Sequence, residues 1–157
     1  MNHFRAFCKY WLPVLIWMSI IFTASGDSNS YHRSYSIIEP ILKWFFPHIS
    51  IQNLDLIHHI ARKCCHLTEY AILALLLWRA FRFSTGNQFS GWYWPEAGLA
   101  VGVVFIYAAS DEIHQSFIPG RTPLASDVLI DTAGGAAGLL LFWLVRFRLL
   151  PRKTQRI

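Results

Sequence analysis

The chain has 157 residues, about one domain's worth, with 54% apolar residues, only 15% charged ones and a formal net charge of +5. That balance is greasier than an ordinary soluble domain. The basic residues bracket apolar runs instead of forming a stripe, which excludes nucleic acid as a partner. Three cysteines, Cys8, Cys64 and Cys65, are an odd count with two adjacent thiols. That is a poor disulfide framework, so Cys64 and Cys65 read as small apolar helix residues.

Four stretches are long and apolar enough to cross a bilayer, each needing about 20 residues. The first covers about residues 4–24, centred on "YWLPVLIWMSIIFTA". Arg5 and Lys9 at its start can snorkel to the interface. A cleaved signal peptide is the rival reading of this stretch, but Trp11, Pro13 and Trp17 inside the run point to a retained helix. Next comes "GDSNSYHRS", polar and turn-like, and then "SIIEPILKWFF". The latter sets Ile37, Ile41, Trp44 and Phe45 on one helical face ending before Pro47. It is too short to cross and fits an amphipathic interfacial helix.

The second span covers about 56–80. Its first half carries His58, His59, Arg62, Lys63 and His66, and its second half is plainly apolar. His58 and His59 read as interfacial. The third covers about 91–110, entered through Trp92, Tyr93 and Trp94, which look like an aromatic belt. The fourth covers about 124–145, with Asp127 and Asp131 near its start. Gly134 and Gly138 in this span have a GxxxG spacing, which lets helix backbones approach closely and offers a route to a homo-oligomer.

Basic residues orient the bundle. Arg5, Lys9, Arg79, Arg82 and the tail residues Arg146, Arg148, Arg152, Lys153 and Arg156 fall on one side, assigned to the cytoplasm together with both termini. "SDEIHQSFIPGR", residues 110–121, then opens on the outer face, with "PGR" forming the turn between the last two spans.

Helical spacing gathers the ionisable residues. His59, Arg62/Lys63, His66 and Glu69/Tyr70 fall at steps of three or four on the second helix. Asp111, Glu112 and Gln115 do so on the third, and Asp127 and Asp131 on the fourth. An ionised side chain at the bilayer centre costs about 2.5–3.5 kcal/mol. Facing lipid, five carboxylates (Glu69, Asp111, Glu112, Asp127, Asp131) would be heavily penalised. Facing Arg62, Lys63 and Arg121 they are offset by pairing. One polar cavity, walled by the second, third and fourth spans, is the expected arrangement.

Single residues keep two readings. Arg121 serves as an anion clamp or pairs with Glu112 or Asp127. His66 serves as a base or ligand or as a hydrogen-bonded helix residue. Gln115 orients a headgroup or caps its own helix. The whole network also reads as glue for a small bundle. A metal would need the pairs His66–Glu69 or Asp111–His114, spaced i, i+3. Neither is as specific as HExxH, and Lys63 and Arg121 would repel a cation, so no metal is expected. Neither GxSxG nor a phosphate-cradling glycine loop occurs, and no cofactor is expected.

Two stretches together, "KCCHLTEYAIL" from Lys63 and "SDEIHQSFIPGRTPLASDVLIDTAG" from Ser110, resemble the VanZ-like family of small bacterial membrane proteins. The resemblance covers most of the chain and extends to Ser25 in "FTASG". It implies an all-α protein of the bacterial cytoplasmic (inner) membrane, with polar positions at Lys63, His66, Tyr70, Glu112, Gln115, Arg121 and Asp127. Many relatives have Asn where this chain has Asp131, which adds a carboxylate. The family's namesake contributes to resistance against the glycopeptide teicoplanin, and the resemblance supplies no substrate.

Three functions follow as expectations. In the first, the cavity binds an anionic lipid or cell-wall precursor headgroup through Lys63, Tyr70, Gln115, Arg121 and Asp131. In the second, the chain is an intramembrane hydrolase or headgroup transferase, with Glu112 or Asp127 as base and His66 as acid or base. In the third it is a structural or assembly module. A transporter is disfavoured, since four spans without a repeat form a pore only as an oligomer.

Overall fold

The computed structural model describes residues 3–26, 30–87, 91–118 and 123–149. Every regular element among them is helical: α1 (His3–Gly26), α2 (Ser30–Phe45), α3 (Ile51–Ser84), α4 (Trp94–Gln115) and α5 (Ala125–Trp143), the last continued by a π-helical segment, Leu144–Leu149. Four helices are long and apolar enough to span a membrane: α1, α3, α4 and α5 with its extension to Arg146. Arg152, Lys153 and Arg156 of the expected tail lie outside the described residues.

The exteriors explain what surrounds these helices. Phe7, Leu12, Ile16 and Ile20 on α1, Leu99, Phe105 and Ile106 on α4, and Leu129 and Leu141 on α5 all stand exposed. In water such a coat would be a large unpartnered apolar surface. Against acyl chains it costs nothing. The chain is therefore a multi-pass membrane protein.

α3 is the central post. It packs against every other helix, most extensively against α5. At 34 residues it is about 51 Å long, well beyond the ~30 Å hydrocarbon layer. That length explains why it outruns the expected 56–80 span: the polar residues of its first turns need not sit among acyl chains. Ser50 opens it by accepting from the Asn53 amide at 3.3 Å. It ends at the turn where Gly86 takes φ 75°, a left-handed conformation glycine adopts without a Cβ clash.

The core follows from one stripe on each helix. α4 buries Ala97, Ala100, Val104 and Ala108, at steps of three and four, against Tyr70, Leu73, Ala74 and Leu77 of α3. Small residues on this stripe bring the axes close. On α5 the close approach is at Gly134 and Gly138: a Cβ there would stand 2.7 Å from the Leu67 carbonyl oxygen and 2.7 Å from the Ala71 Cβ, respectively. The GxxxG spacing is thus used within the chain, against α3. The homo-oligomer expected through this spacing would have to use another face.

Aromatic tips tie α1 into the bundle. Trp17 Nε1 donates to the Glu69 carbonyl at 2.9 Å, and the Tyr107 hydroxyl donates to the Met18 carbonyl at 2.5 Å. Pro13 inside α1 lacks an N–H, so the Lys9 carbonyl one turn earlier loses its helical donor. Arg79 Nη2 of α3 donates to that carbonyl at 3.2 Å.

At the bundle ends two aromatic groups find partners inside the chain. Trp92 is half-buried, stacks on Trp78 with ring centroids 4.9 Å apart and packs near Phe142. Tyr93 and Trp94 remain exposed. His58, expected at the interface, does not face out of the bundle. It is fully buried and shares a 2.8 Å hydrogen bond with Ser34 of α2. That contact also explains why α2 begins at Ser30, inside the stretch expected to be a turn: its first turns have α3 to pack on.

Candidate functional site

Where α4 ends and α5 begins, the first half of α3 supplies a third wall, and a cavity of about 240 Å³ opens between them. Its polar lining is His59, Arg62, Lys63 and His66 from α3, Glu112 and Gln115 from α4, and Asp127 and Asp131 from α5, with Leu124 and Ile130 as the apolar part. Of the residues singled out from the sequence, Lys63, His66, Glu112, Gln115, Asp127 and Asp131 thus meet in one place. Arg121 lies outside the described residues, as does the "PGR" turn. Tyr70 is placed differently from expectation. One turn deeper along α3 than His66, it is fully buried in the core beside Tyr107, with ring centroids 6.2 Å apart, and does not line the cavity.

The contacts show what each side chain does locally. Lys63 Nζ stands 3.2 Å from Asp127 Oδ1, joining α3 to α5. Glu112 Oε2 accepts from the Leu124 amide at 2.9 Å, which holds the start of α5 against the end of α4. Gln115 does not merely cap its helix: Nε2 donates to Ser25 Oγ at 2.7 Å and to Asp111 Oδ2 at 3.2 Å. The cavity is thereby linked through a buried amide to α1, which does not line it. His66 Nδ1 is 3.6 Å from Glu69 Oε2.

Both partners of the Lys63–Asp127 pair are about one-third exposed (36% and 35%). A pair so wetted contributes about 0–1 kcal/mol. A double-mutant cycle with Lys63→Met and Asp127→Asn, read by thermal unfolding in detergent, is expected to return a coupling energy in that range. A coupling above ~2 kcal/mol would mark the pair as a structural clasp instead of two groups available to a ligand.

A second cavity, about 210 Å³, lies on the other flank of α3 toward α1 and α2. Ser25, Ser34, Ile38, Cys65 and Glu69 line it together with Arg62 and His66, which face both spaces. Among the described residues no group of three or more His, Cys, Asp or Glu could hold a metal ion. His114 of the expected Asp111–His114 spacing is stacked on Phe22 of α1, with ring centroids 4.0 Å apart.

Two features were missed from sequence. Asp111, weighed only as a carboxylate of the cavity and in a metal pair with His114, is 2% exposed, and its Oδ1 has no hydrogen-bond partner among the described residues. At the opposite end of the bundle, Arg82 and Glu96 form a buried cluster with Thr85 and Asn87. From the sequence, Arg82 reads only as an orienting charge. The available signal was Glu96 itself, a lone carboxylate in the first turn of an apolar helix.

A bundle of four membrane-crossing helices with a polar cavity at one end defines the class: an all-α, multi-pass membrane protein. Within that class the chain belongs to the VanZ/LLP1 family, whose model it matches over residues 10–146. That stretch holds α2 to α5 and most of α1. No curated protein and no solved structure matches the chain.

Proposed function

We propose that the cavity binds the phosphate-bearing headgroup of an anionic membrane lipid or a lipid-linked cell-wall precursor at the outer face of the bacterial cytoplasmic membrane, in envelope maintenance or glycopeptide (teicoplanin) resistance. The observation that carries this reading is the wall of α3, where Arg62 and Lys63 reach the same cavity at the membrane-interface end of an overlong helix. Ammonium and guanidinium groups recognise phosphate as a point charge and as a planar fork. Arg121 is a further clamp on this reading.

α2 supports the placement. Ile37, Ile41, Trp44, Phe45 and Phe46 are exposed on it and just beyond it, Trp44 by 78%. Lys43 pairs with Glu39 at 2.7 Å on the polar side, where the neighbouring carboxylate raises the Lys43 pKa above its usual value. This is the pattern of a helix lying in the interface plane. The excess of basic residues at the other end of the spans supports an outward-facing cavity.

Lipid mass spectrometry of the purified chain tests the proposal. Phosphate-bearing lipid is expected to co-purify with the native chain and to fall about tenfold with Arg62→Gln or Lys63→Gln, the loss of one charge-assisted contact. Arg121→Ala forms a third arm. Equal lipid recovery from all four proteins would sink the idea.

One observation favours a second reading, an intramembrane hydrolase or headgroup transferase: His66, Glu112 and Asp127 line the same cavity. Glu112→Gln and His66→Ala variants with full cellular effect at normal abundance would exclude it.

A further inference from the structure

The charges around the cavity are sorted by helix. Among the described residues, every cationic or imidazole side chain in its lining belongs to α3, with Arg62, Lys63 and His66 foremost. Every carboxylate comes from the facing helices: Glu112 from α4, Asp127 and Asp131 from α5. The cavity therefore has a basic wall and an acidic wall. A ligand with only negative charge would satisfy the first and be repelled by the second.

We infer that the ligand of this cavity is zwitterionic, an aminophospholipid headgroup of the phosphoethanolamine type, with its phosphate against α3 and its ammonium against α4 and α5. This rests on the phosphate-headgroup reading, keeping its phosphate and replacing its anionic lipid by a zwitterionic one. The Lys63–Asp127 contact at 3.2 Å is the internal pairing across the divide, and both partners are wetted. A ligand carrying both charges replaces that contact with one partner for each side chain and leaves neither charge stranded. Asp131, only 4% exposed though it lines the cavity, is the carboxylate with most to gain from a cation.

Size points the same way. A volume near 240 Å³ is below the ~300–1,000 Å³ of sites that enclose a whole small-molecule ligand. It suits a compact headgroup whose tails stay in the bilayer.

The test titrates the full chain in a nonionic detergent with short-chain phosphatidylethanolamine, phosphatidylglycerol and N-acetylated phosphatidylethanolamine, and with free phosphoethanolamine, read by native mass spectrometry. The ethanolamine lipid is expected to bind about tenfold tighter than the other two lipids, the worth of one charge contact. Asp131→Asn is expected to abolish that preference. Asp127→Asn, at a wetter position, serves the same purpose if Asp131→Asn fails to fold. Glycerol lipid or N-acetylated lipid binding as well as the ethanolamine lipid overturns the zwitterion and leaves headgroup binding standing. Free phosphoethanolamine binding as tightly as the lipid keeps the zwitterion but overturns the lipid as its source. Absence of binding by all four overturns both readings.

Discussion

Glu96→Ala is expected to destabilise the protein by about 3–5 kcal/mol, the cost of stranding a buried charge. Glu96 is 1% exposed and Arg82 6%. Glu96 Oε1 accepts from Asn87 Nδ2 at 2.8 Å and from the Thr85 hydroxyl, while Oε2 stands 3.9 Å from Arg82 Nε. Arg82 in turn donates to the Asn87 carbonyl at 2.5 Å and lies over the Trp78 ring, 4.8 Å from its centroid. Removal of the carboxylate leaves the guanidinium buried with its main counter-charge gone, and frees the turn between α3 and α4. The double change Arg82→Met/Glu96→Met is expected to cost less than the sum of the single ones, since no charge is stranded. Thermal or denaturant unfolding in detergent reads both. A Glu96→Ala protein as stable as the parent would show that this cluster does not close its end of the bundle.

Gly134→Val is the second substitution with a large expected effect, about 3 kcal/mol, at the upper end of overpacking penalties. The new side chain would meet backbone: the Leu67 carbonyl oxygen at 2.7 Å and the Leu67 Cα at 2.9 Å. Backbone cannot rotate away as a flexible side chain can, so α5 must move off α3. That movement would also pull Asp127 and Asp131 from the facing wall of the cavity. Gly102→Val is the matched control, because a Cβ at Gly102 meets nothing within 4 Å; a change below ~0.5 kcal/mol is expected there. Equal melting temperatures for Gly134→Val and Gly102→Val would refute the close α3–α5 contact.

Both predictions rest on places where the sequence spoke unevenly. The GxxxG spacing announced a close helix contact, but not which helix would make it. A second copy and α3 satisfy that spacing equally well, and only the packed chain selects α3. Arg82 and Glu96 are 14 residues apart across a turn, so no helical periodicity joins them. His58 and Trp92 read as interfacial because polar and amphipathic rings favour that position, and their packing partners were not legible. Ser34 and Trp78 gave them partners inside, and partners in space are not encoded by position along the chain.

The sequence by itself determined the spans, because 20-residue apolar runs in a bilayer can satisfy their backbone only as helices. It also determined which side chains would turn inward, because steps of three and four set charged residues on one face, and charges avoid acyl chains. The tertiary structure alone decided which of those charges line the cavity, keeping Lys63, Glu112, Asp127 and Asp131 and leaving Glu69 and Asp111 out of its lining. It also decided the descent of Tyr70 into the core and the amide link from Gln115 to Ser25. Periodicity fixes the face of one helix, whereas the rotation of three helices about a common space follows from how glycine and alanine stripes let their backbones meet.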